Sequence, residues 1–390
     1  MSLRWATAAV RVEGGSPVCA EDLVAAADVQ ISAQMAGFTP DLVIVYATRP
    51  VLAAAARLHD ALRRQWPVAV IVGSSAAGAF DGGDVDAPDL VIMVGHLPEV
   101  SLSVAVLDDE ELPEEPVGWL QKLALLPEHD PLFLLLADPF SVRVDALLAS
   151  LDEAYPRALK LGGLASGGRR PREHVLFTPD GVVDHGLVLL TLTGDIRAEP
   201  LVAPGCRMLG PELTVTQCQD HVLLGLNGRA AVTVLDEVFT GMTEPDREQF
   251  RRGPLVGLWR AGQRPRPGEV LVRTLLAVDR RQGAVGVGAA LVEGQSLQFC
   301  VRDPQAASAE LRALLRGREP AAAVWVFSCI ARGADFFGEP SHERRLVRGA
   351  LGEIPLAGFY SNGELGPVAG RTLLHNQTCT LALLRSRGWS

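Results

Sequence analysis

The sequence predicts a mixed α/β (α+β) protein of two lobes, with mixed sheets built from repeated strand–helix–strand units and antiparallel meanders beside them. Three observations carry that reading. Apolar runs rich in β-branched residues come in pairs, and helical periodicity fills the gap within each pair. Each pair leads into the same six-residue frame, Gly-x-x-x-x-Gly. The length of 390 residues, 48% of them hydrophobic and 21% charged, suits two cores and excludes a disordered or fibrous chain.

In chain order, residues 20–36 (AEDLVAAADVQISAQMA) have helical apolar spacing. DLVIVYA (41–47) is a strand buried on both faces, VLAAAARLHDALRRQW (51–66) an amphipathic helix, and VAVIVG (68–73) a second buried strand. A helical crossover this short makes the two strands parallel. The pattern returns as PLFLLLA (131–137), helix 142–155 and ALKL (158–161). It returns again as AAVWVFS (322–328), a helical or irregular crossover over 340–352, and IPLA (354–357). The frames that follow are GSSAAG (73–78), GGLASG (162–167) and GFYSNG (358–363). Three agreeing copies define an internal repeat.

Further strands follow each frame: 90–95 and 100–107 after the first, 174–194 with a Pro-Asp-Gly hairpin turn after the second, and 371–384 after the third. Residues 225–300 read differently, as a helix over 229–241 and then an antiparallel meander. Asn227-Gly228 marks a turn there, so the expected domains are 20–225 and 226–384.

Thirty-six basic residues face 46 acidic ones, for a net charge of −10 and no basic stripe, which argues against nucleic acid or an anionic membrane as partner. Arg4 and Arg11 interrupt any secretory apolar region, and no run approaches the ~18 apolar residues that span a bilayer. The six cysteines (Cys19, Cys206, Cys218, Cys300, Cys329, Cys379) are scattered without a CxxC pair, the pattern of a cytoplasmic protein with reduced thiols. The histidines form neither HExxH nor an i, i+4 pair, so neither a metal nor a cofactor is expected.

The candidate contacts cluster in the frames. Gly73, Ser74, Ser75 and Gly78 belong to the first and Gly163 and Ser166 to the second. Ser361, Asn362 and Gly363 belong to the third, with Glu364 just after it. Glycine lets the chain turn at positive φ and lets a ligand approach the main chain, while hydroxyls and N–H groups at such a turn bind anions. Turn geometry alone explains any single frame; three equivalent copies point to a shared cleft. The frames are not a Walker A loop, since Ala79, Gly168 and Glu364 stand where lysine is required, and none is a Gly-x-Ser-x-Gly elbow. His375, Asn376 and Thr378 interrupt an apolar strand and must be hydrogen-bonded if buried. Cys329 ends a strand just before Arg332, a residue able to clamp a carboxylate. No nucleophile, base and orienter occur together.

FYSNGELGPVAGRTLLHNQTCTLALL (359–384), with its glycine turn and His-Asn-x-Thr strand, resembles the C-terminal signature of FIST domains. VAVIVGSSAAGAFDGG (68–83), PLFLLLADPFS (131–141) and LKLGGLASGG (159–168) resemble the FIST N-terminal half, in order. The likeness covers roughly residues 20–384 and implies a FIST N domain followed by a FIST C domain. It further implies an intracellular, bacterial, ligand-binding sensory module of signal transduction. Family members are often fused to kinase, cyclic-nucleotide or chemotaxis output domains, and amino acids are proposed as their ligands. Only six residues follow Leu384, so the expected output runs through a signalling partner protein. On this reading Glu364 takes an ammonium, and frame N–H groups or Arg332 take a carboxylate. The alternatives are a transferase or hydrolase using Cys329 or His375, and a protein-recruiting scaffold.

Overall fold

Each of the three predicted repeats forms because its apolar runs bury both faces of a strand; the helix between them is apolar on one side in the first two repeats, and in the third it buries Glu343, Arg344 and Val347. The computed structural model describes residues 3–12, 18–81, 87–262 and 265–388. Gly82 and Gly83, at the end of the first compared segment, lie outside the described residues, as do Met1, Ser2, residues 13–17 and the last two residues of the chain.

In the first repeat, Leu42–Thr48 pairs in parallel with Val70–Ala76 across helix Ala55–Gln65. In the second, Leu132–Ala137 pairs with Leu159–Leu164 across helix Val144–Ala154. In the third, Ala323–Cys329 pairs with Leu356–Ser361 across a true helix, His342–Leu351. Each leading strand carries an antiparallel neighbour on its other side, namely Leu90–His96, Leu187–Gly194 and Cys379–Arg385. The Pro-Asp-Gly hairpin forms as expected, between Leu176–Thr178 and Gly181–Val183.

The repeats are tied together by strand exchange. The short strand Leu176–Thr178, which follows the second frame, pairs with Val70–Ala76 of the first repeat. Glu364–Val368, after the third frame, pairs with Leu159–Leu164 of the second. Ala79–Asp81, after the first frame, pairs with Leu356–Ser361 of the third. Every repeat therefore donates one strand and receives one, and the ring closes. No single repeat can complete its sheet alone.

Strand alternation divides the side chains between two cores. Leu42, Ile44 and Tyr46 join Leu134, Leu161, Trp325, Phe327, Ala357 and Phe359 in one cluster shared by all three repeats. Val43, Val45 and Ala47 instead pack outward with helix Ala20–Met35 and helix Ala55–Gln65. In the second repeat Phe133, Leu135 and Ala137 likewise face Leu147, Leu148 and Leu151 of its helix.

The frames are less turn-like than their sequence suggests. The strand runs on through Ala76, Leu164 and Ser361, so the first glycine of each frame lies within it. Gly73 is opposite Val45, Gly162 opposite Leu135 and Gly358 opposite Val326. A Cβ at these glycines would lie 2.2, 1.9 and 2.2 Å from the facing carbonyl oxygen. Close strand approach, rather than a turn, dictates glycine there. The turn itself occupies the last residues of the frame, where Gly167 has a φ of +93°.

The chain divides into two compact units. One gathers residues 1–201, 315–374 and 379–390, and so contains all three repeats. The other gathers residues 202–314 and 375–378. Its seven-stranded antiparallel sheet includes the expected meander, as Leu271–Asp279, Ala284–Val287 and Ser296–Arg302. Helices Ala231–Gly241, Glu244–Arg252 and Pro304–Leu315 accompany it. Among the described residues no helix is long and apolar enough to cross a membrane.

Candidate functional site

The ends of the three frames meet and are knitted together by hydrogen bonds between repeats. The Ser166 N–H donates to the Ser75 carbonyl (3.2 Å), and the Asn362 N–H donates to the Leu164 carbonyl (3.1 Å). At the third junction the Ser166 hydroxyl intervenes: it accepts from the Ala77 N–H (2.8 Å) and donates to the Tyr360 carbonyl. The Asn362 side-chain amide donates to the Ala165 carbonyl (2.8 Å). Ser74 donates to the Ser75 carbonyl (2.8 Å), and the Ser75 hydroxyl accepts from the Val175 N–H (3.1 Å). Ser74, Ser75 and Ser166 are fully buried, whereas Ala77 and Gly167 are exposed and Gly78, Gly168 and Asn362 half-buried. Two tips of small residues and the half-buried Asn362 of the third thus reach solvent over a hydrogen-bonded polar base.

Beneath the third tip lies a buried carboxylate. Glu364 is opposite Gly163, and its Oε1 accepts from the Ser361 hydroxyl at 2.8 Å. Both side chains are fully buried. Gly163 makes room for them, because a Cβ there would lie 2.9 Å from that of Ser361 and 3.1 Å from the Phe359 ring. Gly363 likewise closes against the Leu374 side chain, 2.6 Å from where its own Cβ would be.

Arg332 is committed elsewhere. Its Nε and Nη2 each lie 2.8 Å from Glu343 Oε1, and the second oxygen of that carboxylate accepts from the Ser328 hydroxyl. The Arg332 and Glu343 side chains are 1% and 3% exposed, so this is a buried ion pair. The register sets Ser328 beside Tyr360 and Cys329 beside Ser361. Alternation along the strand then puts Ser328, with its Glu343–Arg332 pair, on one face of the sheet and Ser361, with Glu364, on the other. The expectation that Glu364 and Arg332 grip two ends of one ligand is corrected on that ground. Arg344, on the same helix as Glu343, lies 3.8 Å from Asp81. Around this region three buried carboxylates (Asp81, Glu343, Glu364) outnumber two buried guanidiniums (Arg332, Arg344).

Buried anionic surroundings mark the neighbouring groups. Burial first, then the Glu343 carboxylate, pushes the Cys379 thiol well above its ordinary range. Burial likewise raises the phenol of Tyr360, with Glu343 adding to it. Tyr46 rises through burial alone, and Tyr155 rises to about 12 for the same reason. These are all three tyrosines of the chain. A phenol whose folded value exceeds its unfolded one, near 10, stabilises the fold fully below pH 10 and loses that contribution as pH rises past it. An alkaline titration followed by tyrosinate absorbance should therefore stay flat to about pH 11 and then rise in one step with unfolding. A gradual rise from pH 9 would contradict the burial of these rings.

The structure gathers Gly73, Ser74, Ser75, Gly78, Gly163, Ser166, Cys329, Arg332, Ser361, Asn362, Gly363 and Glu364 within one compact unit and assigns His375 and Asn376 to the other. Cys329 is 8% exposed at a strand end, and His375 is 1% exposed. Sequence reasoning missed two features. Glu343 sits in a helix so charged (HERRLVRGAL) that it reads as solvated, and nothing in the sequence announces its buried partner. His174 and Asp138 form a buried pair, Nδ1 to Oδ1 at 2.8 Å, with Phe140 stacked on the imidazole. The buried His174 Nε2 faces Gly168, where a Cβ would lie 3.0 Å away. No group of three or more metal-binding side chains occurs among the described residues.

Comparison with known proteins covers most of the chain. The FIST N domain profile matches residues 41–229, and the FIST C domain profile matches residues 231–367. An uncharacterized protein of Mycobacterium tuberculosis is 36% identical over 262 residues, which is 65% of this chain and 68% of that protein. One of Mycobacterium bovis is 34% identical over 261 residues, covering 65% and 67%. Among solved structures, a cyanuric acid hydrolase from A. caulinodans aligns over 99% of both chains with a TM-score of 0.33 and 9% identity. The two profile matches together span most of the chain, which therefore belongs to the FIST family, with a FIST N domain followed by a FIST C domain, modules of sensory ligand binding in signal transduction.

Proposed function

We propose that this chain senses an α-amino acid in the cytoplasm, binding it where the three frame tips meet, and passes the signal to a partner protein. The observation that carries the reading is the convergence itself. Ala77, Gly78, Gly167 and Gly168 leave main chain within reach of a ligand, and Ser166 holds their junction closed by hydrogen bonds. Small residues at a ligand site let polar main-chain groups approach closely. The ligand ammonium is drawn by Glu364, since carboxylates outnumber guanidiniums in the buried surroundings. The carboxylate is met by main-chain N–H groups of the tips, because Arg332 is spent on Glu343.

A thermal-shift screen against the amino acids tests it. A ligand at 100 times its Kd adds about 2.7 kcal/mol, which appears as a rise of degrees in Tm. The rise should vanish in Glu364→Gln and shrink in Ser361→Ala. No rise with any amino acid would defeat the ligand class and favour a partner-binding scaffold. A rise retained in both variants would defeat the location.

A further inference from the structure

We propose that the strand Val100–Leu107 is a docking edge for the same strand of a second copy of this chain, giving a two-fold dimer. This surface is independent of the ligand reading above. The strand ends a six-stranded sheet and pairs with Leu187–Gly194 along all eight of its residues. Among the described residues no strand pairs with its other side, so every second N–H and C=O there faces outward. Its side chains are equally incomplete. Val100, Leu102 and Val104 pack against the core shared by the three repeats but are only half-buried, and Val106 is 40% exposed. Across the pairing, Val188, Leu190 and Leu192 are fully buried. The shared core is thus left partly open along this edge.

The other sheet edges are guarded. Along Arg4–Val10, the Gln34 side chain donates to the Thr7 carbonyl (2.7 Å) and accepts from the Thr7 N–H (3.1 Å), and Gln30 does the same for Ala9 at 3.1 Å each. Arg371–His375 lies at the far end of the same sheet as Val100–Leu107, and its Thr372 N–H donates to Asp152 (2.6 Å). Arg197–Ala203 carries Arg197, Glu199 and Pro200, charges and a proline that disfavour further pairing. Gly181–Val183 and Ala79–Asp81 are only three residues long. The seven-stranded sheet closes on itself where Cys206–Gln219 pairs with Val222–Leu226. VSLSVAVL has none of these devices over its eight residues.

A second copy fits because the edge is self-complementary. A two-fold axis perpendicular to the sheet pairs the strands antiparallel and keeps each face on its own side, so the row Val100, Leu102, Val104 and Val106 meets itself. Charge selects the same place. With a net charge of −10, two copies repel least along an uncharged surface. Glu99 and Asp108 flank the strand, so the contact is confined to it and tightens as salt screens those ends. At about 3.3 Å per residue the edge is about 27 Å long, and with side chains on both faces the pair buries on the order of 1,000 Å², the lower bound for a specific interface. Association therefore depends on concentration. Pairing uses up the edge, so it stops at two copies.

Sedimentation equilibrium of the full chain over about 1–100 µM tests it. The expected result is a monomer–dimer equilibrium whose dimer fraction rises with concentration, and rises again from about 0.05 to 0.3 M salt. Ser103 is exposed, so Ser103→Asp leaves the fold intact while placing a charge on the paired edge, and it should stay monomeric. Ser103→Thr should dimerise like the wild type. Amide hydrogen exchange of the wild type locates the contact without any variant: protection over residues 100–107 should rise with protein concentration, and that over 4–10 should not. A monomer throughout the range would overturn the proposal and leave the edge to a strand of another protein. Growth past two copies, a dimer kept in Ser103→Asp, or concentration-dependent protection confined to other segments would overturn it as well.

Discussion

Gly162→Ala is expected to abolish folding or to cost at least about 4 kcal/mol, placing it among the largest single-residue effects in the chain. The Cβ would lie 1.9 Å from the Leu135 carbonyl oxygen, at a φ of +153°. Neither atom is the end of a flexible side chain, so two paired strands would have to separate, and backbone strain is added to the clash. Gly73→Ala and Gly358→Ala should follow closely, since their Cβ atoms would lie 2.2 Å from the facing carbonyls. Gly349→Ala is the control. It lies in helix His342–Leu351 with nothing within 4 Å of a Cβ, so it should be neutral or stabilise by up to about 1 kcal/mol. Urea denaturation of the four variants checks the series, and a well-folded Gly162→Ala would refute the strand-approach argument.

The second large effect lies at the buried ion pair. Arg332→Met and Glu343→Gln should each cost about 3–5 kcal/mol, because each leaves its partner charge or donors buried without compensation. The double variant should cost much less than the sum of the two, since it removes both charges at once. Urea denaturation of the three variants checks the coupling, and full additivity of the two single losses would show that the residues matter through packing alone.

Much of this was legible in the chain before folding. DLVIVYA, PLFLLLA and AAVWVFS become strands because both of their faces enter a core, with Asp41 just outside its strand and Ser328 hydrogen-bonded to Glu343. The frames stood out because glycine recurs at one spacing. Their reason did not, since the atom that excludes a Cβ at Gly73 belongs to Val45, 28 positions earlier. The same holds for Arg332. Its charge suited a ligand carboxylate, but Glu343 approaches from helix His342–Leu351 and takes its Nε and Nη2. Ser166 read as one hydroxyl among several, and only the meeting of three repeats makes it the bridge between Ala77 and Tyr360.

The sequence by itself determined the repeated unit, the family and the candidate frames, because hydrophobic periodicity and glycine spacing are local and survive without partners. Tertiary structure alone decided that each repeat lends a strand to another, and that Ser361 and Ser328 face opposite sides of one sheet. Those outcomes depend on register between distant segments, and shifting a strand by one residue would reverse every face.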